Sequence, residues 1–217
     1  MAITFPTSPA SGDIVTADGI ELVYEEEKNR WSTYRVENSG SLPSRSPRFV
    51  PPPALTPSGL GAAFKGGYYI GNIQGYYLIA APIEGETTAQ YKTSNTDTPG
   101  QTFEGYNGSI ITTAMINNDP NAHPAAKFCS ELTIGGYTDW YFPAQIEVLT
   151  MYNNRNYMPE GHKFSSATAV KYWTSTKRGN LDAWAYYFGN PYAGQQSGTY
   201  KTASHLVRAV RRVLIPT

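Results

Sequence analysis

Apolar and polar residues alternate through Ile14-Val15-Thr16 and again through Ile20-Glu21-Leu22-Val23-Tyr24, with Asp18-Gly19 between the two runs. A period of two marks a half-buried strand, and Asp-Gly suits a tight turn, so the segment predicts a β-hairpin. A second turn at Lys28-Asn29 leads into Arg30-Trp31-Ser32-Thr33-Tyr34, a third short strand. The three strands can bury Val15, Leu22, Tyr24 and Trp31 on one side. A core that thin leans on a neighbour or a partner subunit. Over residues 37–61 the periodicity disappears. Ser39-Gly40-Ser41, Pro43, Pro47, Pro51-Pro52-Pro53 and Pro57-Ser58-Gly59 predict an extended linker, or an arm laid along another chain.

The pattern of a folded domain begins near residue 62. Tyr76-Tyr77-Leu78-Ile79-Ala80-Ala81 is a continuous apolar run of strand length, which predicts a buried central strand. Ala125, Phe128, Cys129 and Leu132 fall at i, i+3, i+4 and i+7, with Pro124 at the start and Gly135-Gly136 at the stop of the implied helix. A second helix is expected over residues 143–152, opened by Pro143 and closed by Asn153-Asn154. Strands are expected at Tyr172-Trp173-Thr174-Ser175-Thr176, at Ala183-Trp184-Ala185-Tyr186-Tyr187-Phe188, and as one run over residues 206–214. Two helices followed by a β-rich half give an α+β domain. The expected organisation is a small β module over 1–36, a Pro/Ser-rich linker or arm over 37–61, and the main domain over 62–217.

Composition sharpens this picture. Charged residues make up 16% of the 217 positions, below the usual ~25%, whereas Tyr alone contributes 17. Surfaces built from Tyr, Gly, Asn and Thr in place of charges suit a loop-rich β fold that binds other molecules. Lys+Arg and Asp+Glu both total 17, so net charge speaks against nucleic acid or an anionic membrane as partner. No run of 18 apolar residues occurs, and no membrane insertion is expected. Met1-Ala2-Ile3-Thr4-Phe5-Pro6 carries no basic region before an apolar core. The expectation is therefore synthesis in a cytoplasm without passage along the general secretory route.

Candidate chemistry is sparse. The single cysteine, Cys129, forms no internal disulfide or Cys-based zinc cluster, and its place on an apolar helix face is that of a small hydrophobe. His123, His162 and His205 are scattered, and His123 beside Pro124 suits capping or packing. There is no Gly-X-Ser-X-Gly elbow, P-loop or dinucleotide fingerprint. Glu147, Glu160 and Asp182 stand where paired carboxylates could hydrolyse a glycoside, but Glu147 lies inside a helix and is expected to meet a basic side chain. Asp139-Trp140 invites a calcium site, which needs ~6–8 oxygen ligands. Only Asp182 lies near the late strands, so Asp139 is expected to cap a turn before a strand at Trp140-Tyr141-Phe142. The reading is a protein that is not an enzyme and uses no metal or cofactor.

Arg208 and Arg212 share by period two the face of Leu206, Val210 and Leu214, and with Arg211 they are expected to pair structurally with Asp139 or Glu147. Residues 189–200 differ from the rest in offering Tyr, Asn and Gln on a Gly-rich backbone without apolar periodicity. Aromatic faces and amides are what a sugar needs, so Asn190, Tyr192, Gln195, Gln196 and Tyr200 are the candidate ligand-binding residues, the other reading of the segment being a solvated connector.

A series of signatures then falls in order along the chain. Gly66-Gly67-Tyr68-Tyr69-Ile70-Gly71 precedes Tyr77-Leu78-Ile79-Ala80-Ala81-Pro82, and His123-Pro124-Ala125-Ala126-Lys127-Phe128-Cys129 runs into Gly135-Gly136-Tyr137-Thr138-Asp139-Trp140-Tyr141-Phe142-Pro143. Tyr172-Trp173-Thr174-Ser175-Thr176, Ala183-Trp184-Ala185 and Val207-Arg208-Ala209-Val210-Arg211-Arg212 complete it. The series resembles the Lcl-type C-terminal domain, named for a bacterial collagen-like adhesin and common in phage tail proteins, over the last two-thirds of the chain. That resemblance implies a C-type-lectin-like fold, two helices packed on twisted antiparallel sheets. Formylglycine-generating enzymes share the fold, but their paired thiols and copper have no counterpart beside the lone Cys129. Phe5-Pro6-Thr7-Ser8-Pro9, Gly12, Thr16, Tyr24 and Trp31 resemble a short module of marine phage structural proteins.

Together the resemblances imply a virion protein of the tail fibre, tail tip or baseplate that recognises a host surface glycan or protein. Residues 1–61 would attach it to other tail or baseplate proteins, and such proteins are usually homotrimers. The alternative is a purely structural tail, baseplate or head-decoration protein whose lectin-like domain holds other virion proteins. In lectin-like folds the late strands and their loops form the ligand face, where the five candidates lie.

Overall fold

The computed structural model describes residues 56–98 and 105–216, together with the backbone of three strands nearer the N-terminus. The chain divides into two compact units, 1–50 and 51–217. In the first, β1 (Ile14–Ala17), β2 (Ile20–Glu25) and β3 (Arg30–Tyr34) form an antiparallel sheet. Ala17 pairs with Ile20 at the end of the β1–β2 register, and the expected turn at Asp18-Gly19 lies outside the described residues. The expected burial of Val15, Leu22, Tyr24 and Trp31 lies outside what is described, as do residues 37–55 of the expected linker. Residues 56–61 belong to the second unit, where Gly61 N–H donates to Tyr69 O at 2.8 Å.

That unit is mixed α/β. One antiparallel sheet has the order β12 (Val210–Leu214), β6 (Tyr76–Ala80), β5 (Gly67–Ile73), β4 (Ala63–Phe64). A five-stranded sheet has the order β10 (Gln196–Tyr200), β9 (Asp182–Tyr187), β8 (Lys171–Lys177), β11 (Ser204–Arg208), β7 (Glu86–Gln90). Three α-helices accompany them, α1 (Gly108–Asn118), α2 (Pro124–Ser130) and α3 (Gln145–Asn154).

The apolar run at β6 has a direct structural reason: both faces of the strand are covered. Tyr77, Ile79 and Ala81 join a core with Tyr91, Ile111, Phe142 and Trp173. Leu78 and Ala80 face the other way, into a second core with Ile70, Val148, Met151 and Tyr172. Burying a Leu or Ile fully is worth ~1.5–3 kcal/mol, so this strand anchors both cores.

Several expectations need correction. The described residues contain three α-helices where two were expected, the additional one being α1. Ile110-Ile111-Thr112-Thr113 is β-branched and a weak helix former, so local preference hides the helix. Asn107 caps Ser109 N–H locally, and tertiary contacts hold the rest: Gly108 N–H donates to Glu147 Oε2 at 3.1 Å, and Gly108 packs so close to Phe142 O that a Cβ would sit 2.3 Å away. The sheets are also not purely antiparallel, since β8 and β11 run parallel.

The helix expected through Leu132 stops at Ser130. Gly135 and Gly136, both at positive φ, instead turn the chain between Ile134 and Tyr137. A Cβ on Gly135 would lie 2.5 Å from Gly66 Cα, so this crossing of two turns requires glycine. Trp140-Tyr141-Phe142 is not a strand; Tyr141 makes a single bridge to Val210.

The single strand expected over 206–214 is two. At Ala209 the chain leaves the five-stranded sheet and enters the four-stranded one, with Ala209 N–H donating to Gly85 O at 3.0 Å and its carbonyl accepting from Ala81 N–H at 2.9 Å. The alternation nevertheless runs through the break. Leu206 and Val210 pack in the second core, with Arg208 over the Phe164 ring and Arg212 bonded to Tyr141 there, while Val207, Ala209 and Val213 pack in the first. The shared face of Arg208 and Arg212 therefore holds, and only Leu214 is exposed. Each arginine has its own carboxylate: Arg208 bonds Glu86, Arg211 grips Asp139 with two nitrogens at 2.7 and 2.8 Å, and Arg212 bonds Glu147. Asp139 is thus the partner of an arginine and not a turn cap.

Candidate functional site

The first turn of α3 and the outer strands β9 and β10 enclose a cleft of about 350 Å³, lined by Gly105, Tyr106, Gln145, Ile146, Leu149, Tyr186 and Gln196. Its geometry follows from what fixes each wall. Gln145 opens α3, and its backbone N–H donates to Thr176 Oγ1 at 3.1 Å, which ties the helix start to β8. Gly105 O accepts from Ile146 N–H at 2.9 Å, and Tyr106 O accepts from the Arg212 guanidinium, so residues 105–106 form a fixed lip. The Tyr106 side chain is 56% exposed at that lip.

Three polar side chains link across the floor. Gln145 Nε2 donates to Gln196 Oε1 at 2.9 Å, and Gln196 Nε2 donates to Tyr186 Oη at 2.6 Å. Burial pushes the Tyr186 phenol above its usual range, so it keeps its own proton. Among the described residues the lining carries no charged side chain. A relay of two amides and a phenol beside Ile146 and Leu149 offers donors, acceptors and apolar surface together, which suits a neutral polyhydroxylated ligand.

All five sequence candidates are exposed, but they do not form one site. Gln196 lies in the cleft. The loop before it folds back on β9: Tyr187 N–H donates to Gln195 O at 3.0 Å and Gly194 N–H to Tyr187 O at 2.8 Å. This loop carries Tyr192, whose ring lies 5.1 Å from that of Tyr187, and Asn190, whose carbonyl accepts from Ala169 N–H. Gly194 has φ +87° and its Cβ position would meet the Tyr152 ring at 3.0 Å, so the fold-back needs glycine there. Tyr200 stands at the far end of β10.

The expected loop over 189–200 is therefore shorter, because 196–200 is a strand. Sequence reasoning missed Tyr106, Gln145 and Tyr186. Gln145 and Tyr186 fell inside an expected helix and strand, where their polar ends carried no separate signal.

The carboxylates that could have served catalysis are each engaged elsewhere. Glu147 is buried against Arg212, Glu160 pairs with Lys163, and Asp182 pairs with Arg178. Cys129 is fully buried, and burial pushes its thiol up. Among the described residues no group of three or more His, Cys, Asp or Glu is arranged to hold a metal ion. Lys92, Lys177 and Lys201 are buried around the 96–97 turn, where Lys177 bonds the Asp97 carboxylate and Lys201 bonds the carbonyls of Thr96 and Asn180 at 3.1 and 2.9 Å. No helix of the described residues is long and apolar enough to cross a membrane.

Comparison with known proteins adds the following. A family profile described as the Lcl C-terminal domain matches residues 85–211. The comparison with curated proteins finds no match. Among solved structures, a fimbrial protein from Bacteroides ovatus ATCC 8483 aligns over 62% of this chain at 12% identity, with a TM-score of 0.43. The chain spans 35% of that protein.

Proposed function

Since the chain belongs to the family of the Lcl C-terminal domain, we propose that it is a non-enzymatic recognition subunit of a bacteriophage tail, with a C-type-lectin-like domain that holds a host surface glycan. The observation that carries this reading is the uncharged cleft with its relay from Gln145 through Gln196 to Tyr186. An amide both donates and accepts, as a sugar hydroxyl does, and the adjoining apolar wall suits the C–H face of a pyranose ring. In this reading residues 1–61 attach the chain to other tail or baseplate proteins. Three copies around an axis would raise the avidity of individually weak sites.

The test uses the purified chain as a competitor for adsorption of intact particles to host cells. The expected result is inhibition of adsorption that disappears when cell-surface sugars are oxidised with periodate, and that weakens with Gln196→Ala. Inhibition that survives periodate but is lost after protease treatment of the cells would make the receptor a protein. Absence of competition, with the cleft covered by another virion protein in the particle, would replace recognition by a structural role in the tail.

A further inference from the structure

The cleft does not end at Gln196. In β10 the exposed residues alternate, Gln196, Gly198 and Tyr200 pointing to one side and Ser197 and Thr199 to the other. Their register partners on β9 are Tyr186, Trp184 and Asp182. Gly198 lacks a side chain where Arg178 lies across the strand: a Cβ there would stand 2.6 Å from Arg178 Cδ and 2.7 Å from its Nη1. The Arg178 guanidinium is 5.3 Å from the Trp184 ring and is neutralised by Asp182. Beyond it the Tyr200 ring is 64% exposed, more than a tyrosine with a packing role would be.

From the cleft outward the strip reads Tyr106, Gln145, Gln196, then Arg178 beside Gly198 and Trp184, then Tyr200. Four residues of strand at ~3.4 Å each separate Gln196 from Tyr200 by ~14 Å. That is longer than a single sugar ring and fits a chain of several.

We infer that this strip binds a linear, uncharged oligosaccharide along β10, with the Gln145–Gln196 cleft as one subsite and the Tyr200 ring as a second. The inference rests on the glycan reading above and adds the form of the ligand. Two features assign it. Among the described residues the polar groups at the cleft end are neutral and the cation on the strip, Arg178, already has its carboxylate, so an acidic glycan finds no unpaired positive charge there. An aromatic face separated from the amide cleft by a flat guanidinium provides stacking surface for successive rings.

The experiment is calorimetric titration of the full chain with neutral oligomers of glucose, mannose, galactose and N-acetylglucosamine, from one to six units, beside uronic-acid oligomers of the same lengths. For a neutral series that binds, the expected affinity rises ~10-fold or more between one and four units and then levels off, 10-fold corresponding to ~1.4 kcal/mol. Tyr200→Ala should flatten that rise to within ~2-fold while leaving the weak single-unit affinity and the melting temperature unchanged. Gln196→Ala should weaken every length equally. Binding that is independent of length, or unaffected by Tyr200→Ala, overturns the strip but leaves the cleft reading intact. Tighter binding of the uronic-acid series overturns the neutral-ligand assignment. Failure of every oligomer to bind removes the glycan reading itself and the strip with it.

Discussion

Arg212 Nε lies 2.8 Å from Glu147 Oε1, and neither side chain has more than a trace of exposure. The same carboxylate oxygen accepts from Tyr141 Oη at 2.6 Å, while Oε2 accepts from Ala144 N–H at 2.6 Å and Gly108 N–H at 3.1 Å. One buried carboxylate thus satisfies orphan donors at the starts of both α1 and α3 and joins them to β12. Arg212 in turn holds the Tyr106 carbonyl, so the pair connects the core to the lip of the cleft.

Breaking this pair leaves a buried charge uncompensated, which costs ~3–5 kcal/mol. Burial pushes the Glu147 carboxyl up, and Arg212 opposes that shift. Glu147→Gln and Arg212→Met are each expected to lower the unfolding free energy in urea by ~3 kcal/mol or more. The double variant should lose much less than the sum of the two. Additive losses would show that the residues are not coupled.

The acid limb of stability should carry a histidine signature. Burial, with Lys92 adding to it, holds His123 at about 4, and burial with Lys171 holds His205 at about 4. In the unfolded chain both titrate near 6.5. Between these values the unfolded chain binds protons that the folded chain refuses, so stability is complete above pH 6.5 and falls as pH drops toward 4. Melting temperatures from pH 7 to 5 should show this decline before most carboxylates titrate. His123→Gln should reduce the slope. A flat profile over pH 5–7 in the wild type would mean that neither ring is held neutral.

Much of this fold was legible because two of its signals do not depend on partners. The continuous run at β6 and the β-branched runs of β1 and β2 are local facts that survive any tertiary arrangement. The structure of α1 was not legible, because Gly108 and the β-branched residues after it are helical only where Glu147 and Phe142 meet them. The split of the last strand at Ala209 is likewise invisible, since the alternation of Val207, Ala209 and Arg211 reads as unbroken. For the cleft, Gln196 was singled out through the composition of its segment. Tyr106 and Gln145 were not, because they reach the cleft from the lip and from α3, and no spacing in sequence joins them to β10.

Cys129 should behave as a core atom and nothing more. Its thiol is fully buried on α2 and burial pushes its pKa up, so it offers no thiolate at neutral pH. Native protein is expected to react with a thiol reagent only at the rate of global unfolding, and to react at once in 6 M guanidinium. Cys129→Ala should cost ~1–2 kcal/mol through the cavity it leaves. Chelator should leave the melting temperature unchanged, since no described cluster would hold a metal ion. Fast labelling under native conditions, or a chelator-dependent melting temperature, would contradict this account.

The alkaline limb should run the other way from the acid one, through Lys201. Its ammonium is fully buried, held by two carbonyl oxygens, and lowered to about 8 mainly by burial, with Lys92 and Lys177 adding to the effect and Asp97 opposing it. Unfolded, it titrates near 10.4. Between pH 8 and 10 the unfolded chain therefore binds more protons than the folded one, and stability rises with pH. Tyr141 and Tyr172 have phenols raised above their usual range by burial, and they oppose this rise only above pH 10, where unfolded phenols ionise. Lys201→Met keeps the length of the side chain and removes the charge. It loses two hydrogen bonds but no longer buries an ammonium, so its stability at pH 7 should lie within ~1–2 kcal/mol of the wild type. Urea midpoints at pH 8, 9 and 10 should climb in the wild type and climb less steeply in Lys201→Met, where Lys92, also lowered by burial, remains. Equal slopes in the two proteins would show that Lys201 keeps its proton throughout, and that the carbonyls of Thr96 and Asn180 hold a permanent buried cation.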